Sequence, residues 1–226
     1  KKVLITGHTG FKGFWISLIL KKLGALVYGI SLDNSNEDKF HFDYLKEEYL
    51  AGNYFADIRN FSEIESIIKE INPDYVFHLA AQAIVSKGFK DPLETYTTNT
   101  IGSLNILESI RKNLDKCIIV MITSDKVYEN FEWFYGYREI DKLGGKDPYS
   151  ASKASAEIAI RSYYESFFKN SPILLATARA GNVIGGGDWS EDRLIPDCIR
   201  SWMKNEDVMI RNPKSTRPWQ HVFEPI

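Results

Sequence analysis

"VLITGHTGFKG", residues 3–13, decides the reading of the fold. Val3 to Thr6 is apolar, as a buried strand requires. Gly7, Gly10 and Gly13 follow it, and "FWISLIL" (residues 14–20) continues as a helix expected from about Gly13 to Leu23. A glycine-rich strand-to-helix turn lets the chain reverse tightly and brings backbone close to a diphosphate. The helix N-terminus then offers its free N–H groups to that charge. The spacing is GxxGxxG rather than GxGxxG, so the strand–turn–helix context carries the reading more than the glycines do. An ordinary strand–helix turn would use the same glycines without a ligand. Lys12, unusual inside such a turn, either reaches a phosphate or points to water.

Outward from this turn, strand-like runs alternate with helical ones. "LVYGI" (26–30) ends in Ser31–Leu32–Asp33, and a polar, aromatic stretch follows. After "YFADIRN" (54–60), Phe61, Ile64, Ile67, Ile68 and Ile71 recur with helical period. "YVFHLAA" (75–81) is the next strand, then a helix from Leu93 to Lys112, "CIIVMITS" (117–124), a helix from Ser150 to Phe168, and "ILLATARAG" (173–181). This β–α alternation predicts an α/β fold, a Rossmann-like doubly wound parallel sheet with helices on both faces. From "NVIGGGDW" (182–189) the alternation fades and Gly, Pro and Arg become denser. Residues 1–181 are therefore expected to form a dinucleotide-binding domain, and 182–226 the start of a smaller substrate-binding lobe.

With 226 residues, net charge −2, 44% hydrophobic and 26% charged residues, the chain suits a large core under a soluble surface. The charge balance does not favour nucleic-acid binding. "FWISLIL" falls far short of the roughly 20 residues that cross a bilayer, and Gly7 and His8 cut short the apolar run that a signal peptide would need. Cys117 and Cys198 sit in apolar contexts without metal-ligand spacing and read as reduced core thiols, fitting a cytoplasmic location. The four histidines also lack metal spacing, so no metal site is expected. The ending "RPWQHVFEPI" reads as part of a longer chain.

Asp33, just past the second strand, is placed to accept both ribose hydroxyls of an adenosine and to repel a 2′-phosphate, favouring NAD over NADP. Asp57 either meets the adenine edge or caps the next helix. In "DPYSASKASAE" (147–157), Tyr149 and Lys153 stand at i and i+4 on one helix face. A phenol ionises near pH 10. A neighbouring ammonium and a positive nicotinamide ring would lower that, so that Tyr149 takes a proton from a substrate hydroxyl as hydride leaves the same carbon. Lys153 would also hold the nicotinamide ribose, and Ser124 would aim the hydroxyl. Directly after Ser124, "MITSDKVYEN" (121–130) sets Asp125 beside Lys126, either a strand-end salt bridge or an acid–base pair.

Taken together, "TGHTGFKG", "FHLAAQ", Asn99 in "TNTIGSLNILE" and "YSASK" resemble the extended short-chain dehydrogenase/reductase family over essentially the whole chain. Within it, "TSDKVYEN", "GNVIGGGDW", "EDRLIPD" and "RPWQHV" resemble the CDP-glucose 4,6-dehydratase branch. The resemblance implies tightly bound NAD recycled in each turnover, a CDP-glucose substrate, a homodimer joined through the two long helices, and a bacterial deoxysugar pathway such as O-antigen synthesis. It extends the cofactor-binding set to His8, Phe11, Ile58, Leu79, Ala80, Ala81 and Asn99. Gln82, Asn182, Arg193 and Arg217 are expected at the sugar nucleotide, the arginines because a guanidinium offers paired donors to phosphate.

A simple oxidoreductase needs only Ser124, Tyr149 and Lys153. A dehydratase needs more. Oxidation at C4 makes a ketone that acidifies the C5 hydrogen; a base removes it, an acid protonates the departing C6 hydroxyl, and hydride returns to C6. Lys126 is assigned as the C5 base and Asp125 as the acid, although the pair's ordinary charges are the reverse. A UDP-N-acetylglucosamine 4,6-dehydratase shares the Asp–Lys arrangement but not "NVIGGGDW" or "RPWQHV". A sugar-nucleotide 4-epimerase shares only Tyr149 and Lys153. A dinucleotide-sensing module would not need Ser124, Tyr149 and Lys153 intact.

Overall fold

In this computed structural model, residues 1–33 and 49–226 are described; the polar, aromatic stretch beyond Asp33 lies mostly outside them. Strand β1 (Lys2–Thr6) runs at the centre of a parallel sheet, between β2 (Leu26–Ser31) and β4 (Tyr75–His78). With β3 (Gly52–Phe55), β5 (Cys117–Ile122) and β6 (Ile173–Ala178) the order is β3-β2-β1-β4-β5-β6, all parallel. This is the doubly wound arrangement, whose strand order reverses between β1 and β4 and opens a crevice at the strands' carboxyl ends.

Side-chain alternation along β1 builds the two layers. Leu4 enters one core with Ile64, Ile68, Ile106, Leu107 and Ile110, while Val3 and Ile5 enter the other with Ile16. Helix α1 (Phe11–Lys22) covers the second face. On the first face lies α2 (Phe61–Ile71), where Ile64, Ile67, Ile68 and Ile71 are buried, as its period requires. Asn60 caps it by accepting from the Glu63 N–H, and Asn72 ends it in the left-handed region at φ 47°. The cap is thus Asn60 and not Asp57.

After β4 come α3 (Val85–Lys90) and α4 (Pro92–Tyr96). The helix expected over 93–112 continues from α4 through a π-helical turn (Thr97–Ile101) into α5 (Gly102–Asn113). The expected helix over 150–168 is α6 (Pro148–Tyr163), which also ends in a π-helical turn (Tyr164–Phe168). Asp147 accepts from the Ser150 N–H, and Pro148 opens the first turn of α6 where its missing N–H costs nothing. Beyond β6, β7 (Asn182–Ile184) pairs with β8 (Trp219–His221) in a separate two-stranded sheet, and α7 (Leu194–Met203) lies between them in sequence. Among the described residues no helix is long and apolar enough to cross a membrane. Cys117 and Cys198 are buried free thiols, the first pushed up to about 12, chiefly by burial.

The glycine turn is fixed by close approach. Gly7 adopts φ +74°, and a Cβ there would stand 2.8 Å from the Ala80 nitrogen. On Gly13 it would strike the Gly7 carbonyl, 2.7 Å from its carbon and 2.8 Å from the His8 Cα. Both neighbours are backbone, so Gly13→Ala must displace the turn. The expected cost is at least about 1–3 kcal/mol, read as a lower urea midpoint; an unchanged midpoint would contradict the packing.

Candidate active site

Gly10 caps α1 without any side-chain hydrogen bond, leaving the first-turn N–H groups open. It is exposed, and the nearest heavy atom to an added Cβ is the Gly7 carbonyl oxygen at 3.4 Å. The chain thus approaches itself closely at Gly7 and Gly13 and stays open at Gly10. Lys12, just after Gly10, repels Lys153 and itself feels the charges of Arg193, Asp125 and Asp188. Open N–H groups and nearby cations fit an anionic diphosphate.

Behind the turn, one hydrogen-bond chain ties β1, β4 and α5. The Ala80 N–H donates to Thr6 Oγ1 at 3.2 Å, Thr6 Oγ1 meets His78 Nδ1 at 2.7 Å, and His78 Nε2 meets Ser103 Oγ at 3.0 Å. Ser103 Oγ donates to the Asn99 carbonyl at 2.7 Å, which assigns the ring proton to Nε2. Burial, with repulsion from Lys153, lowers the His78 pKa to about 3, so the ring stays neutral.

Several residues expected at ligands turn inward. The His8 side chain is fully buried, and a Cβ on Gly29 would stand 2.5 Å from its Nδ1, so its ring packs against β2. Ile58 is buried against Gly102. The Asp57 carboxylate is occupied by Arg59, whose Nε and terminal nitrogen donate at 2.5–3.0 Å. Gln82 was expected to face a sugar, but its amide donates to Thr95 Oγ1 at 2.9 Å and accepts from the Ile84 N–H at 2.6 Å. Asn99, 1% exposed, accepts from the Gln82 N–H and donates to the Gln82 carbonyl and Ser152 Oγ, at 2.8–3.0 Å. It clamps the loop after β4 to α6. Gln82 and Asn99 turn inward for the same reason: a buried polar group needs partners, and these two find them in the protein.

Asp33 is exposed past the end of β2, while Phe11, Leu79, Ala80 and Ala81 are half-buried around the turn. Asn182 opens β7, its N–H donating to the Pro218 carbonyl at 3.1 Å. Arg217 is exposed and donates to the Thr216 carbonyl. Arg193 caps α7 and pairs with Asp188 at 2.8 Å.

At the carboxyl ends of β5 and β6 the catalytic candidates converge. Tyr149 is 8% exposed and hydrogen-bonds Ser124. Its pKa is raised: burial acts most strongly, the Ser124 hydrogen bond opposes it, the Asp125 charge adds to it and Arg193 opposes it. The lowering expected from Lys153 is not what the resting chain shows: burial dominates, and Lys153 is not among the groups that act on the phenol. The Lys153 ammonium, 6% exposed as a residue, donates to the Ile122 carbonyl at 3.3 Å. Its pKa falls to about 8 through burial first and repulsion from Lys12 second, with Glu157 opposing.

Asp125 and Lys126 lie on a single 3₁₀ turn (Asp125–Val127), half-buried. Ser124 Oγ donates to Asp125 Oδ1 at 3.1 Å and accepts from the Lys126 N–H at 3.2 Å. The Lys126 ammonium sits over the Tyr149 ring, 5.8 Å from its centroid. Among the described residues the pair forms no ion pair with each other. Asp125 and Lys126 thus lie beside Ser124 and Tyr149, the carboxylate on the Ser124 hydroxyl and the ammonium over the Tyr149 ring.

The sequence reading missed Asp188, which pairs with Arg193, and Trp15, whose Nε1 donates to the Gly186 carbonyl at 2.8 Å and ties the "GGGDW" loop to α1. An aspartate just after three glycines was the available signal for the first; nothing in the sequence marked the second. Lys153 carries a pH expectation. Between about 8 and 10.5 the unfolded chain keeps a proton that the folded chain has released, so stability rises with pH across that window. Below it both states hold the proton and the burial penalty stands in full. Urea unfolding on both sides of the window should show wild type gaining on Lys153→Met as pH rises; a constant difference would contradict the burial.

Residues 4–225 match the family described as GDP-mannose 4,6 dehydratase. The chain belongs to that family. It is 47% identical over 231 residues to CDP-glucose 4,6-dehydratase of Salmonella typhimurium strain LT2, with 100% of this chain and 64% of that protein covered. The chain therefore spans just under two thirds of that relative. Among solved structures it is similar to Pal from Bacillus thuringiensis, at TM-score 0.86 and 25% identity over 98% of this chain and 70% of that one. It is also similar to Thermus thermophilus UDP-glucose 4-epimerase in complex with NAD, at TM-score 0.82 and 25% identity, covering 98% and 71%.

Proposed function

We propose that the chain carries the cofactor and proton-transfer machinery of an NAD-dependent 4,6-dehydratase acting on CDP-glucose to give CDP-4-keto-6-deoxyglucose. The observation that carries this reading is the placement of Asp125 and Lys126: half-buried, not paired with each other, and gathered with Tyr149 around Ser124. An epimerase or simple oxidoreductase has no use for them. The 47% identical relative supports cytidine in the substrate.

The glycine turn, with Gly10 open and Lys12 behind it, would hold the diphosphate of NAD, and Asp33 the adenosine ribose. NAD, when bound, would supply a hydride acceptor for C4 and a hydride donor for C6, so none would be consumed overall. Tyr149 accepts the C4 hydroxyl proton, with Ser124 orienting that hydroxyl. The resulting ketone acidifies C5; Lys126 takes the C5 proton, Asp125 protonates the departing O6, which leaves as water, and Lys126 returns a proton to C5 as C6 is reduced. Residues 1–181 would form the cofactor domain, and 182–226 the first part of a sugar-nucleotide lobe in which Asn182, Arg193 and Arg217 meet the diphosphate or sugar.

A homodimer would use the long helices, where Leu93 is 73% and Ile158 60% exposed. The free thiols fit a reducing, cytoplasmic setting, and the product class fits deoxysugar synthesis. The deciding experiment incubates full-length protein and NAD with CDP-, UDP-, GDP- and dTDP-glucose and follows the alkaline absorbance of a 4-keto-6-deoxy sugar. The CDP-sugar is expected to react fastest. An epimerised product, or binding without turnover, would overturn the reading.

A further inference from the structure

Glu157 stands one turn beyond Lys153 on α6, in line with Tyr149 and Lys153 at i, i+4 and i+8. Its side chain is 5% exposed. One carboxylate oxygen accepts from Thr123 Oγ1 at 2.5 Å and from Arg179 Nε at 2.7 Å, and the other accepts from the Arg179 terminal nitrogen. Arg179 follows β6. Its second terminal nitrogen donates to the Glu139 carbonyl at 3.2 Å, and its guanidinium lies over the Tyr128 ring at 4.7 Å.

This one ion pair therefore touches Thr123, just before the Ser124–Val127 segment, and Tyr128, just after it. Backbone bonds finish the clamp: the Thr123 N–H donates to the Ala178 carbonyl at 2.8 Å and the Asp125 N–H to the Ala180 carbonyl at 3.1 Å. Hence both flanks of the Asp125–Lys126 turn are set by a two-pronged contact whose planar geometry allows little rotation. Tyr128 in turn stacks on Tyr137 at 5.0 Å, extending the anchor into the β5–α6 connection. Stability alone does not explain such a pair, because buried ion pairs are often matched by apolar packing.

We propose that Glu157 and Arg179 are positioning residues that aim Asp125 and Lys126, so that disturbing them uncouples C5–C6 elimination from C4 oxidation. The proposal rests on the dehydratase reading. The contrast is geometric. Tyr149 and Lys153 are fixed by α6 itself, with Asn99 and Ser152 behind them. Asp125 and Lys126 sit on a short turn whose direction depends on its two flanks.

The test uses full-length protein with NAD and CDP-glucose, in wild type, Glu157→Gln, Arg179→Met and Arg179→Lys. Two rates are measured: the first appearance of reduced-nicotinamide absorbance, and solvent deuterium entry at C5 by mass spectrometry. Bound NAD per chain and the thermal midpoint are recorded for each variant. In Arg179→Met the C5 exchange should fall on the order of tenfold to a hundredfold, with oxidation changed no more than about threefold. Arg179→Lys keeps the charge, loses the fork, and should recover part of the exchange. If Arg179→Met does not fold, Arg179→Lys carries the comparison, since it keeps the charge and a hydrogen bond; Glu157→Gln also removes the charge that holds the Lys153 pKa up, so it is read only for C5 exchange relative to oxidation. If wild type exchanges at C5 but both rates fall together in the variants, or neither falls, the positioning role is overturned while the dehydratase reading stands. A wild type that oxidises the sugar and exchanges nothing at C5 overturns both.

Discussion

Replacing Tyr149 by phenylalanine is expected to slow C4 oxidation about a hundredfold to ten-thousandfold, the range for losing a positioned general base. The ring is buried and phenylalanine fills the same space, so the fold should lose no more than about 1–2 kcal/mol, from the missing Ser124 hydrogen bond. The effect should lie in kcat rather than KM, because the hydroxyl acts on the bond being broken. Single-turnover absorbance of the reduced nicotinamide reads it directly. Oxidation at the wild-type rate would exclude Tyr149 as the base. Because burial holds this phenol above its ordinary pKa, the wild-type oxidation rate should also climb with pH on the alkaline side.

Lys126→Ala should do the opposite. Oxidation survives, since Tyr149 keeps its Ser124 contact and Lys153 its hold on the Ile122 carbonyl. The ammonium over the Tyr149 ring is worth only about 0.5–2 kcal/mol to that residue. Solvent deuterium entry at C5 should fall about a hundredfold to ten-thousandfold, and the oxidised sugar should accumulate on the enzyme. Exchange at the wild-type rate in this variant would mean that another group takes the C5 proton.

Much of this architecture is legible in residue pattern because burial imposes periods. The isoleucines of α2 repeat at helical spacing, and the inner strands β1 and β5 read as continuous apolar runs because the sheet is covered on both faces there. The glycine turn is readable because only glycine permits those backbone contacts. Side-chain direction is not readable in the same way. A motif locates His8, Ile58 and Gln82 at the crevice, but whether each faces ligand or protein depends on partners distant in sequence, such as Gly29, Gly102 and Thr95. The sign of the Tyr149 shift was hidden for a related reason: it is a contest between burial and several charges, and no spacing rule ranks them. Lys126 over the Tyr149 ring, rather than against Asp125, likewise depends on how a three-residue turn is held.

The π-helical turn at Thr97–Ile101 has a consequence for how far this helix tolerates change. Its i→i+5 bonding accommodates an extra residue relative to α-helix and advances the azimuth of everything downstream. Asn99 sits within that bulge with both amide atoms engaged. Excising one residue there would relax the backbone into ordinary winding, yet swing either the amide or the apolar stripe of α5 out of phase. Length in this short interval should therefore be less negotiable than composition, even though the helix on each side of it looks unremarkable.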